Sequence, residues 1–162
     1  MKKKVVMSAQ ITALAIMSMV AGIIIGKKKT MALVDKEKMY AQKHLAIMKL
    51  FNRWMIIKHE GKGVLDYLQE YNVKTIAIYG MSYVGERLYD ELKDTDIEIK
   101  YVIDMQVKDG FEETDIFTLE DDLPEVDLII VTAVFFYYEI EKSIHNVCDY
   151  EVVSLEEILY GI

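Results

Sequence analysis

One stretch of the sequence decides the fold. Residues 74–92 read KTIAIYGMSYVGERLYDEL. The apolar run from Thr75 to Tyr79 has the length and composition of a buried strand, and Gly80 ends it. The segment from Tyr83 to Leu92 carries apolar residues at helical spacing. We therefore expect a strand, a glycine turn and a helix, which together open a parallel α/β domain.

The residues after Leu92 continue the alternation of strands and helices. Apolar runs predict strands at Ile97–Ile103, near Ile116, at Leu128–Thr132 and near Val152, and helices at Tyr137–Val147 and Leu155–Leu159. Strands that are apolar on both faces and separated by helices form parallel sheets. The prediction for residues 73–162 is a five-stranded parallel sheet in the order 3-2-1-4-5, one half of a doubly wound fold.

The beginning of the chain carries a long apolar run. Residues 5–25 contain no charged side chain, and as a helix they would be about 31 Å long, enough to cross a bilayer. We expect a single transmembrane helix here, after a short tail of residues 1–4. A cleaved signal peptide is the alternative, because three lysines precede the run and Ala13 to Ala15 has a small-x-small pattern.

Residues 26–72 are predicted to be a basic, helical juxtamembrane stalk. Six lysines within residues 27–43 predict that the C-terminal domain stays in the cytoplasm, at the cell membrane. Residues 31–59 contain no Pro or Gly, and apolar residues recur at helical spacing from Ile47 to Ile57. Three partners for this apolar face are considered: the C-terminal domain, a second copy of the chain, giving a homodimer, or the lipid interface. The last two are favoured and stay open against each other.

Charge divides the chain into two parts. Residues 1–62 contain 13 Lys or Arg and 3 Asp or Glu, whereas residues 63–162 contain 6 and 24. The acidic part repels the phosphates of nucleic acid, so nucleic acid is not an expected partner. The basic part is attracted to anionic lipid.

The sequence offers no complete catalytic set. Tyr138 and Lys142 have the Y-x-x-x-K spacing of short-chain dehydrogenases, but position 125, where that family would have a serine, is Glu125. Cys148 and the two histidines of the basic region lack partners at a recognisable spacing. We therefore assign no catalytic residue and no metal ligand.

The sequence does indicate a binding site. In a doubly wound sheet the ligand lies over the carboxyl ends of the strands where the strand order reverses. The residues that the predicted order brings there are Gly80, Met81, Ser82, Tyr83, Val84, Gly85, Asp104, Thr132 and Ala133.

Each part of this site has a chemical reason. Gly80 would permit a tight turn, Gly85 would let helix and strand approach, and the amides between them could face a phosphate. Asp104 follows Gly80 by 24 residues, the place of the acid that accepts hydrogen bonds from ribose hydroxyls, which favours NAD or a nucleotide sugar over NADP. Ser82 occupies the position of the middle glycine of G-x-G-x-x-G. Its side chain leaves less room for the backbone to approach a pyrophosphate. In the alternative interpretation, the glycines serve backbone geometry only, Asp104 caps a turn, and no ligand binds.

Several segments carry a family resemblance: TIAIYG at 75–80, GERLYDEL at 85–92, YVID at 101–104, VDLIIVT at 126–132 and VVSLEEIL at 152–159. They resemble the small Rossmann-type domains found beside bacterial surface-polysaccharide enzymes, which are similar to the N-terminal halves of nucleoside-diphosphate-sugar epimerases. The resemblance covers residues 73–160. It implies ligands of the NAD, nucleotide-sugar or coenzyme A type at Gly80, Ser82, Gly85 and Asp104.

The combined prediction is a membrane-anchored, Rossmann-like protein that binds or senses a nucleotide-type ligand and is accessory to surface-polysaccharide biosynthesis, with polysaccharide-assembly enzymes as partners. The resemblance does not extend to the epimerase substrate half with its catalytic Tyr and Lys, so it implies no activity. The competing prediction is a non-catalytic membrane scaffold with an empty glycine turn.

Overall fold

The computed structural model describes residues 2–105 and 114–162 of the chain, and in its first 25 residues it describes side chains only at positions 17, 19, 22 and 23. The chain forms two compact units, Met1–His44 and Leu45–Ile162. Helix α1 spans Lys2–His59. The first unit consists of α1 residues, and the last turns of α1 belong to the second unit.

The second unit continues with alternating helices and strands. They are α2 (Val64–Glu70), β1 (Thr75–Tyr79), α3 (Tyr83–Leu92), β2 (Glu98–Ile103), β3 (Asp115–Phe117), β4 (Leu128–Val131), α4 (Tyr137–His145), β5 (Val152–Ser154) and α5 (Leu155–Gly161). A 3-10 turn, Val134–Phe136, precedes α4.

The five strands form one parallel sheet in the order β3-β2-β1-β4-β5. This confirms the predicted α/β class and the predicted strand order. Alternate residues of a strand point to opposite faces, and both faces are covered. Ile76 and Ile78 pack in a core with α2, α3, α5 and the end of α1, whereas Ala77 packs in a second core with Ile144 of α4.

The end of α1 is part of the larger core. Leu50, Trp54 and Ile57 are at most 5% exposed and belong to the same cluster as the side chains of α2, α3 and α5. These residues are part of the apolar face for which the domain, a second copy or the lipid interface was considered as the partner. The two favoured partners do not account for these three side chains, because they pack against the domain, the third partner considered.

The predicted transmembrane helix at residues 5–25 needs correction. Within the described residues, the structure contains no helix whose apolar stretch is sufficient to cross a bilayer. The described part of α1 carries charged side chains at short intervals, from Lys27 to Lys29 and from Asp35 to Lys38. Most side chains of residues 5–25 lie outside the described residues.

The predictions that depended on this helix are corrected with it. They are the membrane as a partner, single-pass localisation at the cell membrane with the domain on the cytoplasmic side, and the juxtamembrane character of residues 26–72. The helical part of that prediction agrees with the structure, since α1 continues to His59 and α2 follows at Val64.

Candidate functional site

Three strand ends meet at the carboxyl edge of the sheet. β1 pairs with β2 on one side and with β4 on the other, and Tyr79 at its end is level with the last residue of both. The residues that follow, Gly80, Asp104 and Thr132, are therefore neighbours. The strand order reverses between β1 and β4, so this is the place where doubly wound sheets bind ligands.

Gly80 adopts a conformation that favours glycine. Its φ angle is +92°, in the region that side-chain-bearing residues rarely occupy. The Gly80 amide donates to the Ile103 carbonyl at 2.8 Å. The buried Thr132 hydroxyl lies 2.6 Å from the Gly80 carbonyl oxygen and 3.1 Å from that of Tyr79. A Cβ at Gly80 would lie 3.0 Å from Thr132 Oγ1, a tight contact, so the backbone angle favours glycine and the space leaves little room for a side chain.

Gly85 lets α3 begin directly against the turn. A Cβ at Gly85 would collide with the carbonyl oxygen of Gly80. Ser82 is the N-cap of α3, and its carbonyl accepts the Glu86 amide at 2.9 Å. The first amides of an α-helix have no acceptor within the helix, and here they follow a turn whose Ser82 and Tyr83 side chains are exposed.

The other residues of the predicted site differ in how far their side chains are buried. Met81 and Val84 are 5% and 2% exposed and pack in the larger core, so their side chains do not face a ligand. Ala133 is half-buried, and its Cβ lies 3.8 Å from the position a Cβ would take on Gly80. The structure therefore brings the turn, Asp104, Thr132 and Ala133 together.

Asp104 binds the turn itself. Its Oδ2 accepts a hydrogen bond of 2.7 Å from the Met81 amide, and its own amide donates to the Phe117 carbonyl at 3.0 Å. Burial raises the pKa of Tyr79, and the negative charge of Asp104 raises it further. The residue lies at the position that the sequence assigned to a ribose-binding acid, and one of its oxygens has an intramolecular role.

A second polar cluster was not foreseen from the sequence. The Glu91 carboxylate of α3 is 8% exposed and pairs with Lys58 at 2.9 Å. It also accepts hydrogen bonds from Trp54 Nε1 at 2.7 Å and from the Val64 amide at 2.8 Å. These donors precede Glu91 by 37 and 27 residues, a separation that carries no local signal. The cluster joins the end of α1, the start of α2 and α3.

Comparisons of the chain with protein-family models, with curated proteins and with solved structures give no match. Of the resemblance to epimerase N-terminal halves, only the fold topology is therefore supported. The structure shows an α/β domain with a five-stranded parallel sheet of Rossmann-like topology.

Proposed function

We propose that the protein binds a nucleotide-type ligand, NAD or a nucleotide sugar, at the turn from Gly80 to Gly85. In this proposal it acts as a binding or sensing module accessory to surface-polysaccharide biosynthesis. The observation that carries the proposal is the geometry of the turn at the reversal of strand order. Gly80 has a positive φ, and Gly85 has no room for a Cβ beside the Gly80 carbonyl.

The electrostatics of the domain limit how such a ligand is held. Residues 63–162 contain 24 acidic and 6 basic side chains, so a phosphate would be held by backbone amides at the start of α3 rather than by a basic side chain. The Ser82 hydroxyl is exposed and makes no capping hydrogen bond to the helix. Ser82 would therefore be the first side chain to meet a phosphate.

A second candidate function rests on the bond between Asp104 and Met81. Because this carboxylate already holds the turn, the turn can be stable without a ligand. The domain would then be a non-catalytic interaction module, with glycines retained for the connection between β1 and α3.

Substitutions at Ser82 separate the two candidates. Asp and Asn are both favourable N-cap residues, so Ser82→Asp and Ser82→Asn should fold alike. Only Ser82→Asp places a negative charge where a phosphate would bind. The full chain would be screened by thermal shift against NAD, NADP, UDP-glucose, coenzyme A and ATP. A ligand present at 100 times its Kd stabilises the folded state by about 2.7 kcal/mol.

The proposal expects a selective shift with NAD or UDP-glucose in the wild type and in Ser82→Asn, and its loss in Ser82→Asp. A shift that survives Ser82→Asp would place the ligand elsewhere. The absence of a shift with all five compounds would overturn the proposal and favour the interaction module.

A further inference from the structure

A separate cavity lies at the same edge of the sheet, where β4 and β5 end. It has a volume of about 380 Å³ and lies between α4 and α5. Three tyrosines and two glutamates line it: Tyr137, Tyr138, Tyr160, Glu156 and Glu157. None of these residues belongs to the glycine turn, so we call this space the tyrosine cavity and treat it as a site of its own.

The tyrosine rings of the cavity differ in orientation and in exposure. The rings of Tyr137 and Tyr138 are 5.5 Å apart with an interplanar angle of 63°. The Tyr137 hydroxyl lies 2.7 Å from Glu141 Oε1 and 3.2 Å from the Val152 carbonyl oxygen, contacts that hold its ring in place. Tyr138 and Tyr160 are 79% and 58% exposed. The faces of such rings carry partial negative charge and attract cations.

The charged side chains that line the cavity are acidic. Glu156 and Glu157 are exposed, and within the described part of the chain no salt bridge joins either of them to a Lys or Arg. Burial raises the pKa of the Tyr137 hydroxyl, and its hydrogen bond to Glu141 and the negative charges of Glu141 and Glu157 raise it further. None of the described residues that line the cavity is basic. The nearby positive charge of Arg53 lies at the Tyr160 ring.

One of the rings already interacts with a cation. The Arg53 guanidinium carbon lies 5.6 Å from the centroid of the Tyr160 ring, while Arg53 Nε donates to the Leu159 carbonyl at 2.7 Å. Arg53 does not line the cavity. The contact shows that a cation can lie within cation–π distance of this ring in the folded chain.

We infer that the tyrosine cavity binds a small organic cation of the alkylammonium class. The ring of Tyr138 would contact the alkyl groups and the charge, with Tyr160 adding contact from the part of its ring that Arg53 does not cover. The carboxylates of Glu156 and Glu157 would neutralise the charge. An inorganic metal ion fits less well, because within the described residues no group of three or more His, Cys, Asp or Glu is arranged to hold one. The inference does not depend on the proposed nucleotide site.

Choline and its uncharged analogue 3,3-dimethyl-1-butanol provide the test. The two molecules have nearly the same shape, and only choline carries a positive charge. Each would be titrated into the full chain, with binding followed by NMR chemical shifts. The cavity should bind choline at least about tenfold more tightly than the alcohol, since cation–π and carboxylate interactions require the charge. Equal affinities, or no binding of choline, would overturn the inference.

Matched tyrosine variants locate the binding. Tyr138→Leu should weaken choline binding by about threefold to tenfold, and Tyr138→Phe should keep most of it, because the ring and not the hydroxyl contacts the cation. Glu157→Gln should also weaken binding. Tyr71→Leu removes a tyrosine that is 63% exposed and lies outside the cavity, so it should leave the affinity unchanged. Choline affinity that is insensitive to Tyr138→Leu would contradict the assignment.

Discussion

The carboxylate of Asp104 accepts a hydrogen bond of 2.7 Å from the backbone amide of Met81, and this bond joins the end of β2 to the turn that follows β1. Thr132 holds the same turn from the side of β4, through its contact of 2.6 Å with the Gly80 carbonyl oxygen. The turn is therefore fixed by one side chain on each side. Its shape is a property of the folded chain and does not require a ligand.

Two substitutions at Asp104 should differ in their effect on stability. Asp104→Ala removes the acceptor and leaves the partly buried Met81 amide unsatisfied, which should lower the free energy of unfolding by about 1–3 kcal/mol. Asp104→Asn keeps a carbonyl oxygen at that place and should lose less. Urea denaturation measures both. Equal losses would mean that the negative charge, rather than the hydrogen bond, stabilises the turn.

Glycine should be required at position 85 and dispensable at position 26. Gly85→Ala places a Cβ against the Gly80 carbonyl, and relief of this collision should cost about 1–3 kcal/mol, the usual range for overpacking. A Cβ added at Gly26 of α1 would meet none of the described residues within 4 Å beyond its own stretch of helix, so Gly26→Ala should be neutral or slightly stabilising. Denaturant unfolding of both variants checks this pair. A harmless Gly85→Ala would show that α3 can shift away from the turn.

The elements around the glycine turn were predictable because their signals are local. β1 and α3 have the bounds expected from the apolar run, the glycine and the helical spacing that follows. β4 ends at Val131, one residue before the predicted end at Thr132. The strand order was also predictable, since parallel strands joined by helices leave few topologies.

Other features depend on contacts between distant segments. The spacing from Ile47 to Ile57 predicted an apolar face, but a periodicity does not identify what covers it. The role of Glu91 could not be predicted for the same reason, because the groups that donate hydrogen bonds to it belong to α1 and α2. The apolar run of residues 5–25 was interpreted by composition alone, and that interpretation is the one the structure contradicts.

The Glu91 cluster should contribute strongly to stability. Glu91→Ala removes the acceptor of Trp54 Nε1 and of the Val64 amide together with the partner of Lys58. The loss should be about 3 kcal/mol, because these groups are left without a buried partner. Asp90→Ala is the matched control on the same helix. Asp90 is exposed and forms surface ion pairs with Arg87 and Lys93, so its loss should be within about 1 kcal/mol.

Thermal or urea unfolding of the two variants tests the cluster. Similar effects of Glu91→Ala and Asp90→Ala would show that the Glu91 contacts contribute no more than a surface ion pair.

The end of α1 should unfold together with the sheet. Leu50 is fully buried in the core, whereas Met48 is 62% exposed on the same helix. Leu50→Ala should lower the free energy of unfolding by about 2–5 kcal/mol, and Met48→Ala should change it by no more than about 0.5 kcal/mol. The measurement is urea unfolding at two protein concentrations. If Leu50 packed in a seam between two copies, its effect would depend on concentration, which would contradict the contact seen here.

The start of the sheet should lose stability in acid through Asp127. Its Oδ2 accepts hydrogen bonds from the amides of Lys74 at 2.9 Å and Thr75 at 2.8 Å, and these bonds lower the pKa of the carboxyl group below its ordinary value. A lowered pKa in the folded state means that the ionised form stabilises the fold above about pH 4. This stabilisation is lost as the pH falls through the folded-state pKa.

Comparison of the wild type with Asp127→Asn isolates this contribution. At pH 7 the wild type should be the more stable, because a charged acceptor forms stronger hydrogen bonds with the two amides. The difference in free energy of unfolding should shrink as the pH is lowered from 7 to 3, since the protonated carboxyl group resembles the amide of Asn. Urea unfolding across this pH range provides the measurement. A difference that stays constant or grows toward pH 3 would show that the charge of Asp127 does not stabilise the junction of β1 and β4.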